Sequence, residues 1–205
     1  LVLLHPPSVY DFRDRPILFG PISDVIPSSP VFEMYPIGFA TMAQYMEEAG
    51  FSVRIVNIAY KMMHSPEFDV PAFLEELEPR VFGIDLHWLV HAQGGLRIAE
   101  MLKELHPDIP VLFGGISSSY YAEELIRYPQ VDYVIRGEFA EEPVRLLLES
   151  LGGECEMEAV PGLLQKDEEG EVRQGREVFS APDLDYADFD PGALMRQVLR
   201  YRDRL

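Results

Sequence analysis

Residues 111–119 read Val111-Leu112-Phe113-Gly114-Gly115-Ile116-Ser117-Ser118-Ser119. A short apolar run stops at a glycine pair, and a serine run leads into the next segment. Short apolar runs bounded by turn residues suit strands buried on both faces of a parallel sheet. The same pattern recurs on either side. Residues 1–4 (LVLL) stop before Pro6-Pro7, and residues 53–58 read VRIVNI. Residues 81–86 read VFGIDL, and residues 132–135 (DYVI) stop before Gly137.

Helical spacing fills the gaps. Phe39, Met42, Ala43 and Met46 fall on one helical face, with Gly50 as a C-cap. Ile98, Met101, Leu102 and Leu105 repeat the spacing up to Pro107. Val144, Leu147, Leu148 and Leu151 repeat it between Pro143 and Gly152-Gly153. Shorter helices are expected over residues 71–78 and 120–127. Alternation of this kind predicts an α/β fold: a doubly wound, five-stranded parallel sheet. The expected order is 2-1-3-4-5, flavodoxin-like or Rossmann-like. Beyond residue 152 a small hairpin is expected from residues 162–174. An extended linker at Pro182-Asp183-Leu184-Asp185-Tyr186 and a helix over residues 192–205 follow.

The balance of 17 Lys+Arg against 35 Asp+Glu gives a formal charge of −18. That excludes binding driven by contacts to nucleic-acid phosphates and argues against a polybasic membrane surface. Cys155 is the only cysteine, which excludes an internal disulfide framework and a Cys-rich metal site. Its neighbours Glu154, Glu156 and Glu158 are acidic, with no basic group beside it, so no activated nucleophile is expected. No 18-residue apolar run is present, so no spanning helix is expected. The chain starts at Leu1 inside an apolar run without a basic leader. It reads as a piece of a cytoplasmic protein.

Open parallel sheets bind ligands outside the carboxyl ends of their strands. The informative residues are therefore His5 to Ser8, Asp85 to Trp88, Gly114 to Ser119, and Arg136 to Glu138. Glycines there let a ligand approach the backbone, and serines offer hydroxyls. The segment between Pro6 and Pro36 exceeds an ordinary loop and carries several prolines and large apolar residues. It caps a bulky ligand, meets another domain, or packs on its own sheet. The serine run either touches a ligand or simply starts a helix. His87 and His91 stand four apart, but Asp85 and His87 close a strand and no further ligand is near, so no metal site is expected. His87 and Trp88 are read as pocket lining or core. Neither a dinucleotide nor a P-loop glycine fingerprint is present. No catalytic residue is assigned, and the residues alone read as a binding module. A flavin or nucleotide module and a partner-docking domain without cofactor are the alternatives.

Several runs carry a family resemblance. They are Leu3-Leu4-His5-Pro6-Pro7, Pro36-Ile37-Gly38-Phe39-Ala40, and Glu47-Glu48-Ala49-Gly50-Phe51. Val111-Leu112-Phe113-Gly114-Gly115 and Val131-Asp132-Tyr133-Val134-Ile135-Arg136-Gly137-Glu138 complete the set. In order and spacing they resemble cobalamin-binding N-terminal domains of radical S-adenosylmethionine enzymes, over residues 1–150. The stretch to residue 190 resembles the link to the radical domain. The resemblance implies a corrin over the strand ends and a nucleotide tail entering the sheet edge. It implies contacts from Pro6, Pro7, Ser8, Pro36, Gly38, Phe39, Leu86, His87, Trp88, Gly114, Gly115, Ile116, Ser117, Ser118, Arg136, Gly137 and Glu138. Arg136 is a candidate for the tail phosphate or for a surface ion pair with Glu138 or Glu141. The D-x-H-x-x-G motif that supplies a lower His ligand in other relatives is absent. No such ligand is therefore expected, and the segment after Ser8 is expected to face the cobalt with an apolar wall.

The radical half holds a [4Fe–4S] cluster on C-x-x-x-C-x-x-C, which one cysteine cannot supply. The resemblance therefore implies residues 1–151 as the cobalamin domain. Residues 152–205 would lead to a catalytic domain outside this chain. That domain would hold S-adenosylmethionine and the [4Fe–4S] cluster, in a methyltransferase or cyclase, with the radical domain as partner.

Overall fold

Strand β1 (Val2–His5) is buried along its whole length and pairs in parallel on both sides, with β2 (Arg54–Asn57) and β3 (Phe82–Asp85). The pairing continues in parallel through β4 (Val111–Gly114) to β5 (Tyr133–Ile135). The structure is a computed structural model. It describes residues 1–14, 37–167, 169–175, 177–183, 186–187 and 190–202. The expected segment between Pro6 and Pro36 falls largely outside the described residues, as does Pro36 itself.

The strand alternation sorts side chains onto two faces. Val2 and Leu4 join one core with Leu74 of helix α3 (Val70–Glu75) and Ile98 and Leu102 of α4 (Ala92–Leu105). Leu3 and Ile55 join the other. There they meet Met42 and Met46 of α1 (Ile37–Glu48), and Val144 and Leu147 of α7 (Glu141–Leu151). Successive β residues point to opposite faces, so buried parallel strands need continuous apolar runs. Gly50 ends α1 at φ +89°, with Phe51 N–H donating to Met46 O at 2.9 Å and Gly50 N–H to Glu47 O at 3.0 Å. That is the paired closure a left-handed C-terminal glycine permits.

Three local expectations change. The expected strand over residues 53–58 stops at Asn57, whose side chain accepts from Tyr60 N–H at 2.8 Å and starts α2 (Ile58–His64). An N-capping Asn outweighs strand propensity there because it satisfies an orphan helix donor. The expected helix over residues 120–127 is two short ones, α5 (Ile116–Tyr120) and α6 (Ala122–Leu125). The terminal helix α8 runs over Pro191–Tyr201.

The larger correction concerns the sheet. Among the described residues it has seven strands, not five, and is mixed: β2-β1-β3-β4-β5-β6-β7. The expected hairpin, β6 (Leu163–Lys166) and β7 (Val172–Gln174), is present, but it joins the sheet antiparallel to β5 instead of standing apart. Leu163 enters the α1/α7 core and Leu164 the opposite core, each 1% exposed. Burying two leucines contributes on the order of 3–6 kcal/mol and covers an otherwise open edge of β5. Among the described residues, no helix is long and apolar enough to cross a membrane.

Candidate functional site

The carboxyl ends of β1, β3, β4 and β5 share one edge of the sheet. At the end of β1, Pro6, Pro7 and Ser8 are buried against the first turn of α4. Gly94 N–H donates to Ser8 O at 3.1 Å. A Cβ on Gly94 would lie 1.8 Å from Pro7 O, so only glycine lets these backbones meet. Gln93 holds Tyr10, two residues on, accepting from its N–H at 2.8 Å. Arg13 pairs with Asp11 and donates to Pro66 O and Phe68 O at 2.9 and 2.8 Å, which fixes residues 10–14 on the α3/α4 side.

The loops after β3, β4 and β5 are joined through their backbones. Leu86 O accepts from Ser117 N–H at 3.1 Å and Ser118 N–H at 3.3 Å. Gly115 has φ +108°, and a Cβ there would meet Leu86 C at 2.8 Å and His87 N at 2.9 Å. The glycine pair is thus required by the neighbouring loop. Ser117 Oγ donates to His87 O at 3.0 Å, Ser118 Oγ to Gly114 O at 3.0 Å, and Ser119 Oγ to Gly115 O at 3.1 Å. The hydroxyl protons are therefore spent on backbone carbonyls. Ser119 Oγ also accepts from Gly137 N–H at 3.0 Å, tying the β4 loop to the β5 turn. Leu86 is buried, whereas His87, Trp88, Leu89 and Ile116 are exposed, the last three at 57%, 52% and 48%. The rim is thus an apolar and aromatic shelf above a tightly bonded floor.

Arg136 and Gly137 form the outer end of this edge. Arg136 N–H donates to Gly162 O at 3.0 Å, and Arg136 makes no ion pair among the described residues with Glu138 or Glu141. Its Nε is buried without a hydrogen-bond partner among the described residues, as is Ser8 Oγ at the other end of the edge. Orphaned buried polar atoms are costly, so both fit contact with a ligand. Val178 presses on Gly137, at 2.7 Å from where a Cβ would stand. Tyr186 follows, with Tyr45, Phe139 and Phe179 around its ring at 5.9, 5.6 and 5.6 Å and its hydroxyl donating to Glu141. Burial and that carboxylate push its pKa up. Where the sequence suggests a bare linker, the described part of residues 177–187 lies against the site's outer turn.

Beneath the edge, His5 Nδ1 lies 3.3 Å from Asp85 Oδ2, and the His91 ring stands 5.0 Å from that of His5. Burial, with His5 beside it, pushes the His91 pKa down to about 4. His91 ends a 3₁₀ turn (Leu89–His91) facing inward, while His87 faces solvent, so the i, i+4 pair shares no helical face. No group of three His, Cys, Asp or Glu side chains placed to hold a metal occurs among the described residues. Cys155 Sγ donates to Leu146 O at 3.4 Å, away from the edge.

Gly38 and Phe39 occupy the first turn of α1, where Thr41 donates to Glu141 at 3.0 Å. They therefore stand beside α7, with Phe39 packed on the α1/α7 core. Sequence reading missed Gly94 and Val178, named Ser119 only as part of the strand-end serine run, and placed Tyr186 in a linker. Gly94-Gly95 was readable, since two glycines in a helix's first turns are unfavourable unless a backbone must come close.

An open α/β sheet with glycine-backed loops at its strand ends defines a ligand-binding domain of the doubly wound class. The family model for the B12-binding domain matches residues 24–147, more than half of the chain. The chain belongs to the B12-binding domain family, and its cofactor is cobalamin. It is 28% identical over 140 residues to hopanoid C-3 methylase from Methylococcus capsulatus, covering 66% of this chain and 26% of that protein. It is 23% identical over 154 residues to cytidylyl-2-hydroxyethylphosphonate methyltransferase from Streptomyces wedmorensis, covering 68% and 29%. Among solved structures, the cobalamin-dependent S-adenosylmethionine radical enzyme OxsB, with aqua-cobalamin and S-adenosylmethionine bound, superposes at TM-score 0.64 and 18% identity. That match covers all of this chain and 25% of OxsB. The radical S-adenosylmethionine methyltransferase TsrM from Kitasatospora setae, with cobalamin and a [4Fe–4S] cluster bound, gives TM-score 0.59 and 19% identity over 93% of this chain and 30% of TsrM. The chain thus spans between a quarter and three tenths of each of these proteins. The residues present fit the cofactor: an apolar shelf for a broad ring, close backbone approach, and two orphaned polar atoms for its polar groups.

Proposed function

We propose that this chain holds cobalamin for a radical S-adenosylmethionine enzyme of the methyltransferase or cyclase type. The observation that carries the reading is the match to the B12-binding domain over residues 24–147, on a chain whose strand-end loops are glycine-backed and exposed. When bound, cobalamin supplies a carrier for a methyl group or an electron. This chain's residues bind and orient it. Pro6, Pro7 and Ser8 line one end of the edge. Leu86, His87, Trp88, Gly114, Gly115, Ile116, Ser117 and Ser118 form the middle, and Arg136, Gly137 and Glu138 the outer end. Pro36, Gly38 and Phe39 complete the proposed set on the family resemblance alone. Arg136 Nε is the donor to a tail phosphate, consistent with its buried, unpaired position.

No histidine of this chain ligates the cobalt from below, consistent with the absent D-x-H-x-x-G motif. Residues 1–151 form the cofactor unit. Strands β6 and β7 brace its edge, and residues 152–205 lead to a radical domain, which holds S-adenosylmethionine and the [4Fe–4S] cluster, because one cysteine cannot. The working compartment is the cytoplasm, and these 205 residues carry no complete activity alone.

The test is retention of corrin. The chain is mixed with hydroxocobalamin or methylcobalamin, desalted, and its visible spectrum recorded. A retained corrin without a nitrogen-ligated spectrum is expected, and Gly115→Trp should abolish retention. A folded chain that holds no corrin under oxidising or reducing conditions refutes the reading. A nitrogen-ligated spectrum refutes the absence of a lower His.

A further inference from the structure

The turn that carries Arg136 is held from three directions, and two of the holds come from outside the segment that the B12-binding model matches. That segment ends at residue 147. From within it, Ser119 Oγ accepts from Gly137 N–H at 3.0 Å. From beyond it, Gly162 O accepts from Arg136 N–H at 3.0 Å. Gly162 stands so close that a Cβ there would lie 2.5 Å from Arg136 O. The third hold is Val178, whose Cγ1 fills the space that a Cβ on Gly137 would need, at 2.7 Å.

Gly137 has φ +125°, so the turn is built on the residue type that restrains its own backbone least. Its neighbours must supply the restraint. Val178 is 44% exposed and belongs to neither core, so it can be changed without opening one. Its neighbour Phe179 tilts against the Tyr186 ring at 5.6 Å, and Phe139, two residues after Gly137, meets the same ring edge-on at 5.6 Å. The Tyr186 hydroxyl donates to Glu141 at the start of α7. Val178 is thereby anchored beside the helix that follows the turn. Arg136 Nε is buried, with no hydrogen-bond partner among the described residues. A guanidinium meets a phosphate through a planar fork, so its use depends on where the backbone holds it.

We propose that Val178 is a positioning residue for the nucleotide tail of cobalamin. Pressed on Gly137, it holds the Arg136 turn in the arrangement that presents Nε to the tail phosphate. Val178 makes no bond to the cofactor. It raises the fraction of chains whose turn is ready, and apparent affinity scales with that fraction. Acting through Arg136, it selects corrins that carry a nucleotide tail over tailless ones. The role rests on the cobalamin reading and its Arg136 contact. It adds that the cofactor site extends past the matched segment into the stretch before α8.

The experiment titrates the 205-residue chain with aquocobalamin and with diaquocobinamide, the same corrin without its nucleotide tail, by visible absorbance at neutral pH. Wild type is compared with Val178→Ala, Val178→Ile, Arg136→Gln and the double variant of Val178→Ala with Arg136→Gln, with circular dichroism confirming the fold. Losing a hydrogen bond to a charged group weakens binding roughly ten- to a hundred-fold, the loss of aquocobalamin affinity expected of Arg136→Gln. A turn that is ready about a tenth to a third of the time binds roughly three- to ten-fold more weakly, the loss expected of Val178→Ala. Both variants should bind cobinamide as wild type does, and Val178→Ile should keep wild-type aquocobalamin affinity. Because Val178 acts through Arg136, Val178→Ala should cost nothing further in the double variant. A Val178→Ala chain with wild-type aquocobalamin affinity overturns the proposal. So does one that loses both corrins alike, which is what a purely structural role produces, and so does a full additional loss in the double variant. Arg136→Gln binding aquocobalamin as wild type does overturns the phosphate contact and the role of Val178 with it. A wild-type chain that binds neither corrin refutes the cobalamin reading itself, a result distinct from all of these.

Discussion

Gly94→Ala sets two local effects of opposite sign against each other. Gly94 lies in the first turn of α4, and replacing a helical glycine by alanine ordinarily stabilises by up to about 1 kcal/mol. The added Cβ would stand 1.8 Å from Pro7 O and 2.8 Å from Pro7 C. An ordinary carbon–oxygen contact is about 3.3 Å or more, so one backbone must retreat by roughly 1.5 Å. Both partners are backbone in a buried corner, which no rotamer change relieves. Overpacking of this kind costs about 1–3 kcal/mol, and losing the Gly94 N–H to Ser8 O bond adds about 1 kcal/mol. The contact outweighs the propensity, for a net loss of about 1–3 kcal/mol. In a chain of this size that lowers Tm by roughly 2–12 °C. Gly95→Ala is the control. Its Cβ would meet the Phe113 ring at 3.3 Å, a tight contact with a side chain that must give by only a few tenths of an ångström, and Ile84 at an ordinary 3.6 Å, so its stability should stay within about 1 kcal/mol of wild type. Urea unfolding followed by far-UV circular dichroism reads both. A Gly94→Ala chain as stable as wild type, or more so, would sink the argument that glycine is there to admit the Pro7–Ser8 backbone. The same variant should lose corrin retention while Gly95→Ala keeps it.

The depressed His91 pKa makes stability depend on pH. The unfolded chain binds a proton near 6.5 and the folded chain only near 4, so stability is fully present above about 6.5 and falls as pH drops towards 4. The loss amounts to about 3 kcal/mol. His91→Leu should flatten the stability profile by that much between ~pH 7.5 and ~pH 4, as read by urea midpoints. Parallel profiles for the two chains would show that His91 does not titrate this way. Asn57→Ala removes the cap on Tyr60 N–H and should cost about 1 kcal/mol in urea unfolding, whereas Asn57→Asp should restore it. A neutral alanine variant would contradict the capping role. Tyr186→Phe removes the hydroxyl that donates to Glu141 and should loosen residues 177–187 locally, by about 1 kcal/mol. Faster hydrogen exchange confined to that stretch, with global Tm nearly unchanged, is the expected readout. Unaltered exchange there would count against the hydroxyl's role in holding that stretch.

The sheet was legible because its signal is local. A strand buried on both faces must be apolar at every position, and residues 1–4, 81–86 and 111–113 satisfy that within a few residues. Right-handed crossovers then leave few strand orders, and the parallel part follows the expected β2-β1-β3-β4-β5. Strand-end residues could therefore be named as a group. Their individual roles could not, because each depends on a distant partner. Ser119 looks like a helix-starting serine until Gly137 N–H is found on its oxygen. Gly115 looks like punctuation until Leu86 and His87 fill the space of its missing side chain.

Composition alone settled which chemistry these 205 residues cannot perform, since one cysteine cannot hold an iron–sulfur cluster. Only the tertiary structure decided that the hairpin closes the β5 edge, that Tyr186 packs beside the outer turn, and that Asp85 meets His5 across 80 residues. The reason is physical. Apolar periodicity and turn residues act over one or two turns of chain. The burial of a carboxylate and the close approach of two backbones are properties of space, and they exist only once the strands lie side by side.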